Sequence, residues 1–324
     1  MPKVLLIDPA LAIFRERFAE RLPTDVEVVA VASFDAGEFA RLAVDAEIVI
    51  NARRPVDAAL FRMAPAIRYV QQIGVGTDPV DWPAAEAAGA LVAYNPGVNK
   101  TGAAEHAVML MLALLKRLSS TELATRAGRF EPAEVIAAGI DDLADATVGL
   151  IGLGQIGQAV AERLVPFGPR ILYATRHPVP EAEARLGVEW RSIPDLLNAS
   201  TIVSLHLPLS DATRHLIGAD ELASMPPGSY LVNTGRGGLV DEAALRAAIL
   251  SGHLAGAGLD VIDGETEGVN PFADLPTVIV TPHIGGGSRN SMANVVERCT
   301  ANIRRYLAGQ PVLDVVLDAR RSGA

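Results

Sequence analysis

An α/β protein with doubly wound parallel sheets is what this sequence predicts, on three observations. Short β-branched runs recur along the chain. Stretches rich in Ala, Leu, Arg and Glu, with helical character, separate most of them. The runs are apolar along their length rather than alternating. Strands that alternate with helices build a parallel sheet, and near-continuous apolar runs are expected where both faces of the sheet are covered.

The runs are taken in order. Val4–Asp8 opens the chain, followed by Glu27–Val31, Glu47–Ile50, Arg68–Gln72 and Leu91–Tyr94. Thr147–Ile151, Ile171–Ala174, Thr201–Leu205, Ser229–Val232 and Val278–Val280 complete the set. Between the two groups lies Thr101–Leu118, rich in Ala, Leu and Met with a basic end at Lys116–Arg117. It predicts a helix with Thr101 as N-cap and the basic pair at the negative terminus. Apolar residues cover nearly all its faces, so it should be buried, either in the core alone or also against a second subunit.

Bulk properties narrow the class. A chain of 324 residues is long enough for two domains. It is 50% hydrophobic and only 5% aromatic, so the core must be aliphatic. With 38 acidic and 28 basic residues the net charge is −10, which argues against nucleic acid as a partner. The single cysteine, Cys299, lies in a helix-like stretch and is expected to be a packed structural thiol. No signal peptide opens the chain. The longest apolar run, Ala107 to Leu115, is far below the ~20 residues that span a bilayer. A cytoplasmic protein that touches no membrane is expected.

The sharpest local signal follows the Thr147–Ile151 run. Gly152–Leu153–Gly154–Gln155–Ile156–Gly157 leads into the helical stretch Gln158–Leu164. Strand, glycine-rich turn and helix together form a dinucleotide-binding fingerprint. Gly152 allows the tight turn and Gly154 lets a pyrophosphate approach. Gly157 lets the helix pack on the strand. Gln155 and Ile156 offer N–H donors at the helix start. After the next strand an NAD enzyme usually carries Asp or Glu, about 20 residues past the glycines. Here Thr175–Arg176–His177–Pro178 stand instead. A guanidinium pairs with a 2′-phosphate that a carboxylate would repel, so Thr175 and Arg176 point to NADP as the preferred cofactor, with NAD possible.

The later strands end in polar residues. Asn233–Thr234–Gly235–Arg236–Gly237–Gly238 follows one strand, and Gly258–Leu259–Asp260–Val261 precedes Glu265. Thr281–Pro282–His283–Ile284–Gly285–Gly286 follows another. Ligands bind at the carboxyl ends of strands in open α/β sheets, and these turns offer a guanidinium, a carboxylate and an imidazole. His106 on the apolar helix is expected to make a packing hydrogen bond. His206, beside Pro208, should line the cofactor cleft, and His177, His215 and His253 should be surface residues. No pair of His, Cys or acidic residues has metal-ligand spacing, so no metal is expected.

With these turns in view, the chain resembles the D-isomer-specific 2-hydroxyacid dehydrogenases. The likeness rests on Gly152–Gly157, His206–Leu207–Pro208–Leu209, Asn233–Gly238, Gly258–Val261 and Thr281–Gly286. Gly74–Val75–Gly76–Thr77–Asp78, Asn95–Pro96–Gly97 and Ala104–Glu105–His106 match as well, so it covers nearly the whole chain. Leu164–Gly168 and Tyr173–Pro178 look most like the glyoxylate/hydroxypyruvate reductases, many of which use NADPH.

The resemblance implies a Rossmann cofactor domain over 98–285. It implies a flavodoxin-like substrate domain formed by 1–97 and 286–324, with the active site in the cleft between them. It makes His283 the acid/base, Glu265 its partner and Arg236 the group that holds the substrate carboxylate and polarises its carbonyl. Backbone N–H groups of Val75 and Gly76 would also take that carboxylate. Asp260 would meet the nicotinamide carboxamide, and His206, Pro208, Thr234 and Gly285 would line the cofactor site. A homodimer through the helix 101–118 is implied too. The chain departs from the family's usual Pro after Glu265, where Thr266–Glu267–Gly268 stand instead. Only Asp318–Ala324 follow Leu317, so no appended regulatory domain is expected.

The chemistry explains the residue types. Hydride transfer to a 2-oxo acid leaves charge on the carbonyl oxygen, which an imidazolium in hydrogen-bond reach can protonate. A neighbouring carboxylate favours the charged imidazole, and a planar guanidinium grips a carboxylate in two places. The predicted reaction is therefore reduction of a small 2-oxo acid, of the glyoxylate or hydroxypyruvate type, to its D-2-hydroxy acid. Phosphoglycerate, phosphite or formate dehydrogenases are rivals on the same frame, for which Arg54 in Asn51–Pro55 is a candidate substrate contact. A non-catalytic, dinucleotide-sensing corepressor is the rival from another class, and the Arg236, Glu265 and His283 set argues against it.

Overall fold

The computed structural model describes residues 1–33, 35–265 and 268–318. Among them the strands run in chain order as β1 (Lys3–Leu6), β2 (Glu27–Ala30), β3 (Ile48–Asn51), β4 (Tyr69–Gln72) and β5 (Leu91–Ala93). Next come β6 (Thr147–Ile151), β7 (Arg170–Ala174), β8 (Glu189–Trp190) and β9 (Ile202–Leu205). The last four are β10 (Ser229–Asn233), β11 (Leu254–Leu259), β12 (Val278–Val280) and β13 (Val315–Asp318). The chain divides into two compact units, one of Met1–Asn99 with the chain from Arg289 onward, the other of Lys100–Ser288.

The first unit is built on a sheet of order β13-β5-β4-β3-β1-β2. Alternate residues of its strands serve opposite faces. Leu5, Val49, Val70 and Val92 pack with Phe39, Val56, Leu60 and Val80 on one face. Val4, Leu6, Ile48 and Tyr69 pack on the other with Val295, Cys299 and Ile303 of the helix Arg289–Leu307. Side chains of Asp35, Asp57 and Asp81 cap the helices that return between strands, accepting from the N–H groups of Glu38, Leu60 and Ala84. Cys299 is fully buried, accepts from Asn95 Nδ2 at 3.1 Å, and burial pushes its thiol up to about 12. An inert packed thiol is the result.

The second unit carries a parallel sheet of order β12-β11-β10-β9-β6-β7-β8. The order reverses beside β6, at the junction with β9, which is where such sheets bind ligands. The helix Lys100–Leu115 packs against β10, β11 and the helix Gln155–Leu164. Ten of its sixteen residues are buried, which accounts for the apolar character of all its faces.

Several features differ from the sequence reading. The helix begins at Lys100, so Thr101 lies within its first turn and is not the cap; it ends at Leu115, because Arg117 adopts a left-handed conformation (φ 50°). Lys116 pairs with Asp142, and Arg117 donates to the carbonyls of Ala138 and Gly139, so neither serves the helix terminus. Leu118 starts a separate helix, Leu118–Arg126. β11 was absent from the predicted strands because Leu254–Leu259 is rich in Gly and Ala. A Cβ at Gly256 would lie 2.3 Å from the Thr277 carbonyl oxygen, and one at Gly258 would lie 3.0 Å from Leu110 Cβ. Close backbone approach there selects small residues over β-branched ones. β8 and β13 were missed as well. β13 pairs antiparallel with β5, so this sheet is not wholly parallel. Its pairing is made between distant parts of the chain, which no local pattern announces.

Candidate active site

Local sequence shapes the turn that bears Arg236. β10 ends at Asn233, whose side chain folds over the residues that follow. Its Oδ1 accepts from the Gly235 N–H at 3.0 Å and its Nδ2 donates to the Arg236 carbonyl at 2.8 Å. Arg236 is half-buried and its Nη1 donates to the Gly235 carbonyl at 2.8 Å. The sequence reading assigned Asn233 no task; its place between a strand and a Gly-rich turn was the available signal.

Asp260 follows β11 as Asn233 follows β10, and the Asp260 N–H donates to the Asn233 carbonyl at 2.9 Å. The Asp260 carboxylate is buried and collects donors. Thr281 Oγ1 reaches Oδ1 at 2.6 Å, the Ile284 N–H reaches Oδ1 at 3.0 Å and the Gly285 N–H reaches Oδ2 at 2.8 Å. His106 Nε2 stands 3.2 Å from Oδ1 and 2.8 Å from Thr281 Oγ1. Burial alone would raise the Asp260 carboxyl, but His106, Thr281 and the two backbone donors outweigh it and hold it down at about 2. The carboxylate thus organises the turn that carries His283.

His283 has φ 53°, and its N–H donates to the carbonyls of Asp260 at 2.8 Å and Thr281 at 2.9 Å. A left-handed histidine is uncommon and persists where surrounding bonds over-determine it. Its Nδ1 lies 2.8 Å and 3.0 Å from the two oxygens of Glu265. Both side chains are about a quarter exposed. With Nδ1 taken by the carboxylate, Nε2 is the ring nitrogen available to a ligand. Of the departure after Glu265, Thr266 and Glu267 lie outside the described residues.

The glycine turn tests the fit of a dinucleotide. Gly152 has φ 100°, and a Cβ there would lie 2.5 Å from the His206 carbonyl oxygen. A Cβ at Gly157 would lie 2.2 Å from the Gly152 carbonyl oxygen. A Cβ at Gly154 would meet nothing within 4 Å. Two glycines are therefore demanded by the protein's own packing, whereas the third leaves open space at the start of the helix Gln155–Leu164. Around this turn, Thr234 Oγ1 and His206 Nδ1 are buried and have no protein partner. Burial pushes the His206 imidazole down to about 4, and its Nε2 meets Ser204 Oγ at 3.0 Å. Open space beside unpaired polar atoms suits a dinucleotide.

Beyond β7, Thr175 Oγ1 donates to the His177 carbonyl at 2.6 Å, and Arg176 is exposed. The Thr175 hydroxyl proton is spent within the turn, which leaves Arg176 as the donor that could meet a 2′-phosphate. Pro208 is exposed, His177 and His215 are exposed, and His253 is half-buried with Nε2 3.1 Å from the Leu222 carbonyl.

In the first unit, Val75 is exposed and Gly76 half-buried in the loop that leaves β4. Arg54 follows the neighbouring β3, its guanidinium 4.1 Å above the centre of the Phe39 ring. Asn51 and Gln72 are register partners at the ends of these strands and are fully buried. Arg54 Nη1, Asn51 Oδ1 and both amide atoms of Gln72 lack protein partners. Among the described residues no cluster of three His, Cys, Asp or Glu side chains could hold a metal, and no helix is long and apolar enough to cross a membrane.

Comparison with known proteins adds to this geometry. The family model for the D-isomer specific 2-hydroxyacid dehydrogenase, NAD binding domain, matches residues 108–285. The chain is 37% identical over 269 residues to a D-3-phosphoglycerate dehydrogenase of Mycobacterium leprae, covering 83% of this chain and 50% of that protein. It thus spans about half the length of that relative. It is 36% identical over 260 residues to a glyoxylate reductase of Thermococcus litoralis, covering 79% of this chain and 78% of the relative. Among solved structures, an NAD-dependent formate dehydrogenase of Staphylococcus aureus in complex with NAD superposes with a TM-score of 0.85 at 26% identity. That match covers 97% of this chain and 99% of the other.

Proposed function

Because the chain belongs to the D-isomer specific 2-hydroxyacid dehydrogenase family, we propose that it reduces a small 2-oxo acid to the D-2-hydroxy acid with NAD(P)H. The observation that carries the reading is the His283–Glu265 pair, with Nδ1 at 2.8 Å from the carboxylate. The nicotinamide, when bound, supplies the hydride. His283 holds the proton at Nε2 and gives it to the substrate's carbonyl oxygen, while Glu265 stabilises the imidazolium before the transfer. Arg236 grips the substrate carboxylate and polarises the carbonyl. Backbone N–H groups of Val75 and Gly76 orient the same carboxylate.

The cofactor residues are Gly152, Gly154, Gln155, Ile156 and Gly157 around the pyrophosphate, with His206, Pro208, Thr234, Asp260 and Gly285 toward the nicotinamide side. Thr175 and Arg176 stand at the ribose, and Arg176 favours NADPH. The substrate is of the glyoxylate or hydroxypyruvate type. Arg54, whose Nη1 has no protein partner, is a further candidate for contact with the substrate. A substrate that carries a phosphate is the second reading, supported by the similarity to phosphoglycerate dehydrogenases. We also propose a homodimer and a cytoplasmic setting.

Turnover of His283→Ala tests the central assignment. Loss of about 10²- to 10⁴-fold in rate is expected, the usual worth of a general acid, with NADPH affinity retained. Wild-type turnover would refute it.

A further inference from the structure

The turn of Arg236 and the loop leading into Glu265 touch at two points. Gly237 lies against Ile262–Asp263 so closely that a Cβ there would stand 2.1 Å from the Ile262 carbonyl carbon and 2.3 Å from the Asp263 nitrogen. Five residues later, Glu242 opens the helix Glu242–Leu250, and its Oε1 accepts the Asp263 N–H at 2.6 Å. Asp241 supplies the cap of that helix through its own carboxylate, accepting from the Ala244 N–H at 3.0 Å. Glu242 is therefore released from capping and reaches out of the helix to the neighbouring loop.

We propose that Glu242 is a positioning residue: its hydrogen bond to Asp263, with the backbone contact of Gly237, holds the Glu265 loop in register with the Arg236 turn. The inference rests on the roles given to Glu265 and Arg236 in the proposed function. Gly264, with φ 67°, separates Asp263 from Glu265. A glycine there leaves the backbone pliable, so the loop depends on the bond made just before it. That bond is short, at 2.6 Å, and lies at the surface of the unit. Burial raises the Glu242 carboxyl while the Asp263 N–H opposes the rise; Asp263 and His215 are its charged neighbours.

Three variants of the full chain test the proposal, with NADPH affinity, kcat, the KM for the 2-oxo acid and amide exchange over 262–265 as readouts. Glu242→Ala should lower kcat about ten- to a hundredfold, the scale of a small misplacement of catalytic groups. It should also speed exchange over 262–265. KM and NADPH affinity should hold. Glu242→Gln keeps an oxygen acceptor and should restore most of the rate and the slow exchange. In a Glu265→Gln background, Glu242→Ala should lower kcat little further, since the two act through one contact. An unchanged kcat and unchanged exchange in Glu242→Ala would overturn the proposal. So would a Gln variant no better than Ala, which would assign the effect to charge. Exchange is independent of catalysis. Faster exchange in Glu242→Ala beside an inert Glu265→Gln would therefore remove the functional reading and leave the clamp as structure only.

Discussion

His283 Nδ1 faces both oxygens of Glu265, at 2.8 and 3.0 Å, while the His283 N–H is held by the Asp260 carbonyl at 2.8 Å. The imidazole is thus oriented from its ring and from its backbone. Glu265→Gln should lower kcat about tenfold or more, the scale expected when a general acid loses its partner, with NADPH affinity unchanged. A kcat equal to that of the wild type would remove Glu265 from its role.

Arg236 stands in a turn that Asn233 fixes. Arg236→Lys keeps the charge and loses the fork. The KM for the 2-oxo acid should rise and kcat should fall, each about tenfold, with NADPH affinity near normal. Steady-state kinetics beside a cofactor titration separates this from a cofactor role, in which NADPH affinity alone would change.

Arg176 is exposed, and the Thr175 hydroxyl is bonded to the His177 carbonyl. Any preference for NADPH therefore rests mainly on one guanidinium in a screened setting. A preference of about tenfold in kcat/KM is expected, from a single charge-assisted bond. Arg176→Ala should abolish it by weakening NADPH while sparing NADH. Equal efficiencies in the wild type would make Arg176 a solvated residue.

The region after the helix Lys100–Leu115 exposes Leu118, Leu123, Phe130, Ile136 and Ile140. Phe130 is 81% exposed and Ile136 68%, an apolar display that usually marks an interface. A symmetric homodimer should form through it. Light scattering at micromolar concentration should return twice the chain's mass, and paired Leu123→Glu and Phe130→Glu substitutions should return the single mass. A monomeric wild type would refute the dimer.

Asp260 titrates at about 2, below its ordinary 3.8. Its lowered value means stability that is fully present above the ordinary value and lost as pH falls through about 2. The difference amounts to roughly 2 kcal/mol. Chemical denaturation between pH 5 and pH 2 should show this loss in the wild type. Asp260→Asn should be less stable at pH 7 and should lose less on acidification. Parallel pH dependences in the two proteins would contradict the assignment.

Much of the candidate site is legible in the chain because its signals are local. Gly152, Gly154 and Gly157 announce a turn through residue types that only close approach or open space requires. Arg236 and His283 each stand three residues past the end of a strand, so strand position carries them to a sheet's carboxyl edge. The alternation of runs and helical stretches yielded the parallel sheet of the second unit for the same reason. Other features depend on residues far apart in sequence, and folding alone decided them. The antiparallel β13 needs β5 as its partner, and β11 is a strand because Gly256 and Gly258 admit Thr277 and Leu110. The Asp260 carboxylate gathers Thr281, His106 and two backbone donors that no spacing predicts. Sequence sets which groups are present and what local backbone they favour; which partner each buried polar group takes is settled only when the fold removes water and leaves one arrangement satisfied.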